Sequence, residues 1–368
     1  MTTTTPTANR TAFEDAIVID CCTVSAPSWH ERIENSGLTA LQTVVTWPRD
    51  DVAQALRRIS KHRGFIRAEE RFDLIESVED IERCKTENRV GHILSAQSTD
   101  MLGRDTSLVE VFRDAGLRVM QLIYNERNFA ADGCLEPSNA GLSFFGRELI
   151  SAMNESGVVI DLADTSIDSS LDAIELSEKP CIFSRVNPRA TALEQQRNLT
   201  DEQIKACAAK GGVIGLVSYG PLCATTPGVW PTIADYIRHI DYVVDLVGID
   251  HVAIGTDSEA TPGCVSPELA YLQGEVGRMN LGARHSIREI SDGMGMRKSG
   301  TKPLTYVDMV TALANSNWGA RGFESVGEMP SLADALVDSG WSDENLKKLL
   351  GGNILRVYRE NWSTRIRP

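Results

Sequence analysis

An α/β barrel of the (β/α)8, TIM type is the fold predicted by three observations. Short apolar runs of strand length recur eight times, and each alternates with a stretch of helical periodicity. The runs are apolar at successive positions, as strands buried on both faces of a parallel sheet must be. No GxGxxG turn marks the runner-up, a doubly wound sheet.

Residues 16–20 (AIVID) are the first strand, with Cys21-Cys22-Thr23 at its carboxyl end. Residues 41–46 (LQTVVT) are the second, stopped by Trp47-Pro48. Residues 52–66 have helical spacing, 72–75 read as a short extra strand, and 78–84 as a helix. Residues 90–94 (VGHIL) form the third main strand and run into Ser95-Ala96-Gln97-Ser98. A helix over 108–115 closes at Gly116. Residues 120–123 are the next strand, ending in Tyr124-Asn125, and 125–141 are a loop rich in Asn, Gly, Pro and acidic residues. Ser143 caps a helix in which Phe145, Leu149, Ile150 and Met153 recur at helical spacing, and Gly157 ends it. Residues 158–162 (VVIDL) then form a strand leading to Asp164.

Beyond a helix over 169–176, residues 181–184 (CIFS) are the sixth strand and lead into Arg185. Thr200 caps the helix through Cys207, and 212–217 (GVIGLV) are the seventh strand. A helix over 233–247 precedes the eighth strand, 252–255, which ends in Thr256-Asp257-Ser258-Glu259. Residues 260–330 are Gly-rich and irregular and read as a long loop over the barrel mouth. Helices over 332–339 and 343–358 are expected to pack outside the barrel. Residues 1–12 are expected to be a disordered tail, and 13–368 a single domain.

A formal net charge of −14 over 368 residues argues against nucleic-acid or anionic-membrane partners. No apolar run is long enough to span a bilayer, and the first residues lack the basic and apolar regions of a signal peptide. Eight cysteines without a CxxC pair suit reduced thiols in the cytoplasm. In a barrel of this type ligands meet the carboxyl ends of the strands. Cys22, Gln97, Tyr124, Asp164, Arg185, Asp257 and Glu259 all fall there.

Several stretches carry a resemblance: YNERNFAADGCLEPSNAGLSFFGRELISAMNESGVVIDLADTS, KPCIFSRVNPRA, QRNLTDEQI, DLVGIDHVAIGTD and GGNILRVYREN. Across residues 17–358 the chain resembles the membrane (renal) dipeptidases of peptidase family M19, zinc hydrolases with amidohydrolase-like barrels. The resemblance implies two zinc ions held by an HxD pair after the first strand, a bridging Glu after the third, and one His after each of strands five and six. Laid on by flanking residues, those positions are Cys22 and Val24, Gln97, Asp164 and Arg185. Only the acidic residue after the eighth strand is kept, as Asp257. Tyr124 stands where some bacterial relatives carry Tyr and the renal enzyme a catalytic His. Arg197 matches an arginine that contacts the substrate carboxylate or the tetrahedral intermediate. The resemblance also implies a homodimer.

Val24 cannot ligate, Gln97 is a poor bridge between metals, and Arg185 sets a fixed positive charge where a dication belongs. None of the six histidines falls at a ligand position. The expected cofactor is therefore none. Asp257 is the first candidate for acid–base chemistry, with Tyr124 and Asp164 beside it. Cys22 is either a nucleophile, its thiol acidified by Arg185, or a small filler. Arg185 either binds a substrate carboxylate or pairs with Asp164 in the former metal volume. Arg197, Gln97 and Glu259 complete the substrate-binding set.

Three functions remain open. One is a metal-independent enzyme for a small amino-acid-like or carboxylated substrate, such as a dipeptide or an amino-acid derivative. Another is a catalytically silent homologue that binds such a ligand or a protein partner. The last is a zinc dipeptidase using Cys22, Asp164, Asp257 and Glu259. The first is favoured because the replacements are polar and mutually compatible.

Overall fold

The computed structural model describes residues 8–24, 33, 36–193, 196–226, 229–259 and 319–362. Eight parallel strands close a barrel: β1 (Ile19–Val24), β2 (Ala40–Thr46), β4 (Val90–Ala96), β5 (Leu117–Gln121), β6 (Val159–Asp161), β7 (Ile182–Val186), β8 (Val213–Leu216) and β9 (Val252–Ile254). The Asp20–Ile254 pairing joins the last to the first. The expected extra strand is present as β3 (Phe72–Leu74), parallel to β4, and β10 (Ser258–Glu259) pairs with β1 beyond β9.

Helices cover the outside: α2 (Val52–Ala68), α3 (Val78–Glu87), α4 (Leu108–Asp114), α5 (Phe144–Ser156), α6 (Ile167–Leu176), α7 (Asp201–Ala209), the short α8 (Gly220–Cys223) and α9 (Ile233–Val247). The predicted caps work as the sequence implies. The Ser143 hydroxyl accepts from Gly146 N, and Gly157 closes α5 at φ 67. Thr200 and Gln203 form a reciprocal capping box on α7.

Three expectations need correction. Within the stretch expected to be a tail, Ala8 already begins the helix α1 (Ala8–Asp15), whose Ala12 joins the core. The strand expected over 120–123 is β5, which runs over Leu117–Gln121, so Gln121 ends it and Tyr124 lies in the following loop. Leu117-Arg118-Val119 pairs with β4 and β6 despite its charged residue, because Arg118 reaches the backbone carbonyls of Glu76 and Arg113. The third correction concerns the carboxyl terminus. After α10 (Met329–Asp338) and α11 (Asp343–Lys347), a π-helical stretch, Lys348–Gly352, leads into α12 (Asn353–Trp362). Ile354, Val357 and Tyr358 of α12 share one buried cluster with Ile19, Ala40, Ile93, Val119, Val159, Ile182, Val213 and Ala253. These are inward residues near the amino-terminal ends of the strands. The Tyr358 hydroxyl donates to Gln42 Oε1 of β2 at 3.2 Å. The helix thus stoppers the floor of the barrel instead of lying outside it, and the site is left to the opposite end. Most of the loop expected over 260–330, up to residue 318, lies outside the described residues.

Candidate active site

Strand irregularities decide which side chains enter the barrel. On β7, Phe183 and Val186 both pack in the outer core, and the register with β8 shifts between them. Two residues, Ser184 and Arg185, therefore occupy the inward side, as a bulge requires. Gly255, just past β9, makes room: a Cβ there would lie 1.7 Å from the Ser184 carbonyl oxygen. β1 has a comparable shift between Asp20 and Thr23, which brings both Cys21 and Cys22 inside.

Arg185 is the centre of the site and is almost fully buried. Its Nη2 lies 2.8 Å from Asp164 Oδ2 and its Nε 3.3 Å from Asp257 Oδ1. Arg197 closes a ring with the same two carboxylates, through Nε to Asp164 and through Nη2 to Asp257 at 3.3 Å. Two cations and two anions thus share one small volume with no net charge. The inner pair, Arg185 and Asp164, has side chains 1% and 0% exposed. Arg197 and Asp257 are 15% and 11% exposed and form the outer pair, towards the mouth. Asp164 and Asp257 both adopt left-handed backbone conformations, at φ 64 and φ 52. Aspartate tolerates that region better than most residues, and such outliers gather at functional sites.

The sequence had placed Arg185, Asp164, Asp257 and Cys22 at strand ends, and they come together. Arg197, expected to contact the substrate carboxylate or the tetrahedral intermediate, comes from the loop after β7 and spans the two carboxylates. The Cys22 thiol faces Asp257 Oδ1 at 3.7 Å and Arg185 Nη1 at 3.5 Å. Burial pushes its pKa well up, against the opposing pull of Arg185, which favours the filler alternative over the acidified nucleophile. Burial likewise works against the charge on Arg185, but the facing Asp164 and Asp257 carboxylates hold its proton firmly. Tyr124 is half-buried; desolvation and then Asp164 raise its phenol, keeping it a proton donor. Gln97 is buried without an ion-pair role, and Glu259 belongs to β10; the Glu259 side chain lies outside what the structure describes.

Sequence reading passed over Gln121 and Asp20. Gln121 Nε2 donates to Asp164 Oδ2 at 2.6 Å and to the Ile123 and Ala163 carbonyls at 2.6 and 2.9 Å. The misplaced strand end hid it. Asp20 Oδ1 accepts from Thr256 N and Oδ2 from Thr256 Oγ1, both at 2.8 Å, and Asp20 also takes the Thr23 hydroxyl. It ties β1 to the residue preceding Asp257.

Burial raises the Asp20 pKa from 3.8 to about 6, outweighing its hydrogen bonds to Thr23 and Thr256. The folded value lies above the unfolded one, so this group favours folding below pH 3.8, and the benefit is lost as pH rises through about 6. Two pH units correspond to roughly 3 kcal/mol. In urea titrations, the wild-type chain is expected to lose that much more stability than Asp20→Asn across this window. Parallel curves for the two proteins would show that Asp20 is ionised without penalty.

A divalent metal fits poorly here. Both carboxylates are engaged by two guanidinium groups each, and a dication would have to displace them. Among the described residues, no group of three or more His, Cys, Asp or Glu side chains is gathered to hold a metal. The described histidines are occupied elsewhere: His92 and His62 meet each other and Thr43, His239 meets Cys223 O and Thr191, and His251 meets Gly212 O. His30 and His285 lie outside the described residues.

The chain matches the family model described as membrane dipeptidase (peptidase family M19) over residues 22–269 and 307–366. It is similar to dipeptidase tcpJ of Claviceps purpurea, 22% identical over 293 residues, which are 79% of this chain and 56% of that protein. Dipeptidase aclJ of Aspergillus oryzae is 23% identical over 271 residues, 73% of this chain and 51% of that protein. The chain thus spans about half the length of these curated relatives. Among solved structures, it resembles an amidohydrolase from Pseudomonas aeruginosa with a TM-score of 0.80 and 26% identity, covering 97% of this chain and 99% of that one. A metallo peptidase from Rhodobacter sphaeroides, liganded with a phosphinate mimic of the dipeptide L-Ala-D-Ala, shares the fold at a TM-score of 0.71 and 17% identity. That match covers 94% of this chain and 100% of the other.

Proposed function

Because the chain belongs to the membrane dipeptidase family, peptidase M19, we propose that it is a hydrolase of that lineage with a rebuilt, metal-independent site. Its substrate is a small amino-acid-like or carboxylated molecule. The observation that supports this is the closed ring of Arg185, Arg197, Asp164 and Asp257. Arg197, on the open side, receives a substrate carboxylate as a bidentate partner. That exchange releases Asp257 to accept a proton from the attacking water. Arg185 and the Tyr124 phenol then stand where negative charge develops on the substrate carbonyl. Cys22, a neutral thiol, fills space beneath them.

The same closure favours a second reading, a silent binding homologue, since the ring satisfies its own charges without turnover. We take the chain to act as one domain that includes α1, in the cytoplasm and as a homodimer. Its acidic balance and unpaired cysteines support that setting, and among the described residues no helix is long and apolar enough to cross a membrane.

Metal analysis of protein purified without a nickel column tests the proposal. The expected result is no stoichiometric zinc and no hydrolysis of simple dipeptides. Stoichiometric zinc with chelator-sensitive dipeptidase activity would overturn it.

A further inference from the structure

Alternation along β2, β4 and β5 fixes which of their side chains enter the barrel. Ala40, Ile93 and Val119 belong to the inner cluster at the floor. Leu41, Val45, Leu94, Ala96 and Met120 face the helices. Thr46, Ser95, Gln97 and Gln121 therefore follow inward, at even spacing, towards the carboxyl ends. All four are at most 4% exposed. Yet Thr46 Oγ1, Ser95 Oγ, Gln97 Oε1 and Gln121 Oε1 have no hydrogen-bond partner among the described residues. Folded chains rarely leave buried oxygens unpaired, because the lost hydration is not recovered. Four on adjacent strands, at the end where barrels bind ligands, make a pattern that packing does not ask for.

Their chemistry narrows what they take. Gln97 Oε1 and Gln121 Oε1 only accept, while the two hydroxyls accept or donate. The set suits a donor. Of the carboxylates around it, Asp164 and Asp257 are already matched by two guanidinium groups. Asp161, opposite Gln121 in the β5–β6 pairing, accepts from the Ala163 and Ser184 amides, and burial raises its pKa towards the neutral acid. An ammonium group on this side would lose its hydration without a carboxylate left to meet it, which is unfavourable. Gln121 joins the two sides, because its Nε2 holds Asp164 while its Oε1 is left over.

We infer that the mouth has a charged half and a neutral half, and that Thr46, Ser95, Gln97 and Gln121 bind an uncharged donor end of the substrate, an amide or a hydroxyl. This rests on the carboxylate reading of the charged half. The substrate class is then a molecule with a carboxylate at one end and a neutral amide or hydroxyl at the other.

Three probes of similar size separate the two claims: succinamate, succinate and β-alanine, which present a neutral amide, a second carboxylate and an ammonium beside a common carboxylate. Each is titrated calorimetrically into the full chain and into Thr46→Val and Gln97→Met, and the thermal midpoint of each unliganded protein is recorded. Succinamate is expected to bind roughly tenfold more tightly than the other two, the scale of one well-made hydrogen bond. Both variants are expected to lose that preference, keep succinate binding, and melt at higher temperature than the parent, since a buried orphan oxygen has been removed. Equal binding of the three probes, or lower melting of both variants, would overturn the neutral half and leave the carboxylate reading intact. If no probe binds the parent chain, the carboxylate reading itself fails, and the inference with it.

Discussion

Replacing Arg185 by methionine is expected to destabilise the folded chain by about 3–5 kcal/mol, the scale seen when one partner of a buried ion pair is removed. Methionine keeps most of the volume and the unbranched stem, so packing loss stays small. What changes is charge. The ring of two guanidinium groups and two carboxylates goes from neutral to a net negative charge in a volume where Asp164 has no exposure. Arg197 still reaches both carboxylates, but its single positive charge cannot neutralise two. Asp164→Asn alone is expected to be costly for the mirror reason, leaving an excess cation. The double variant, Arg185→Met with Asp164→Asn, is expected to recover part of the combined loss, with a coupling of about 0.5–3 kcal/mol between the two sites. Urea unfolding with a check for constant slope reads all four proteins. If Arg185→Met stays within about 1 kcal/mol of the parent, the ring behaves like a solvated surface pair and the buried-network account is wrong.

Much of this was legible in the chain before any coordinates. Eight apolar runs alternating with helical segments are enough for the barrel, because strands buried on both faces leave little freedom in composition. Strand-end residues such as Arg185 and Asp257 were then identifiable as pocket residues. Other features were not legible, for physical reasons. Strand β5 begins at Leu117 because Arg118 finds backbone carbonyls to satisfy it, and no local pattern announces distant acceptors. Gln121 was missed with that boundary. Arg197 reaches the ring through the course of a loop and a long side chain, neither of which follows from periodicity. The inward turn of Arg185 depends on a bulge in β7, and the acidified Cys22 thiol stayed an open alternative because sequence shows the nearby arginine but not the burial that outweighs it. The C-terminal helix was placed outside for a related reason: an apolar face in the sequence does not say whether it meets another helix or the barrel floor.

If the protein is an enzyme, Asp257→Asn is expected to lower its turnover by about two to four orders of magnitude, the usual worth of a positioned general base. Asparagine keeps the shape of the side chain and one acceptor oxygen, but it cannot take a proton. Asp257 is the suitable candidate because it is the more open of the two ring carboxylates, 11% exposed against 0% for Asp164. It is also held firmly: its N–H donates to the Cys22 carbonyl at 3.0 Å, and Asp20 grips the preceding Thr256. Cys22→Ser is the paired control. Burial keeps that thiol protonated, so the serine variant is expected to retain near-parental turnover. Loss in Cys22→Ser with Asp257→Asn still active would reverse the assignment in favour of a thiol nucleophile. The folded state has to be followed alongside, since Asp257 also balances Arg185 and Arg197. Circular dichroism and melting curves separate a lost base from a lost barrel. Should Asp257→Asn, properly folded, process the substrate at the parental rate, the acid–base role must be sought in Asp164, Glu259 or Tyr124, and the exposed half of the ring would be left with binding alone.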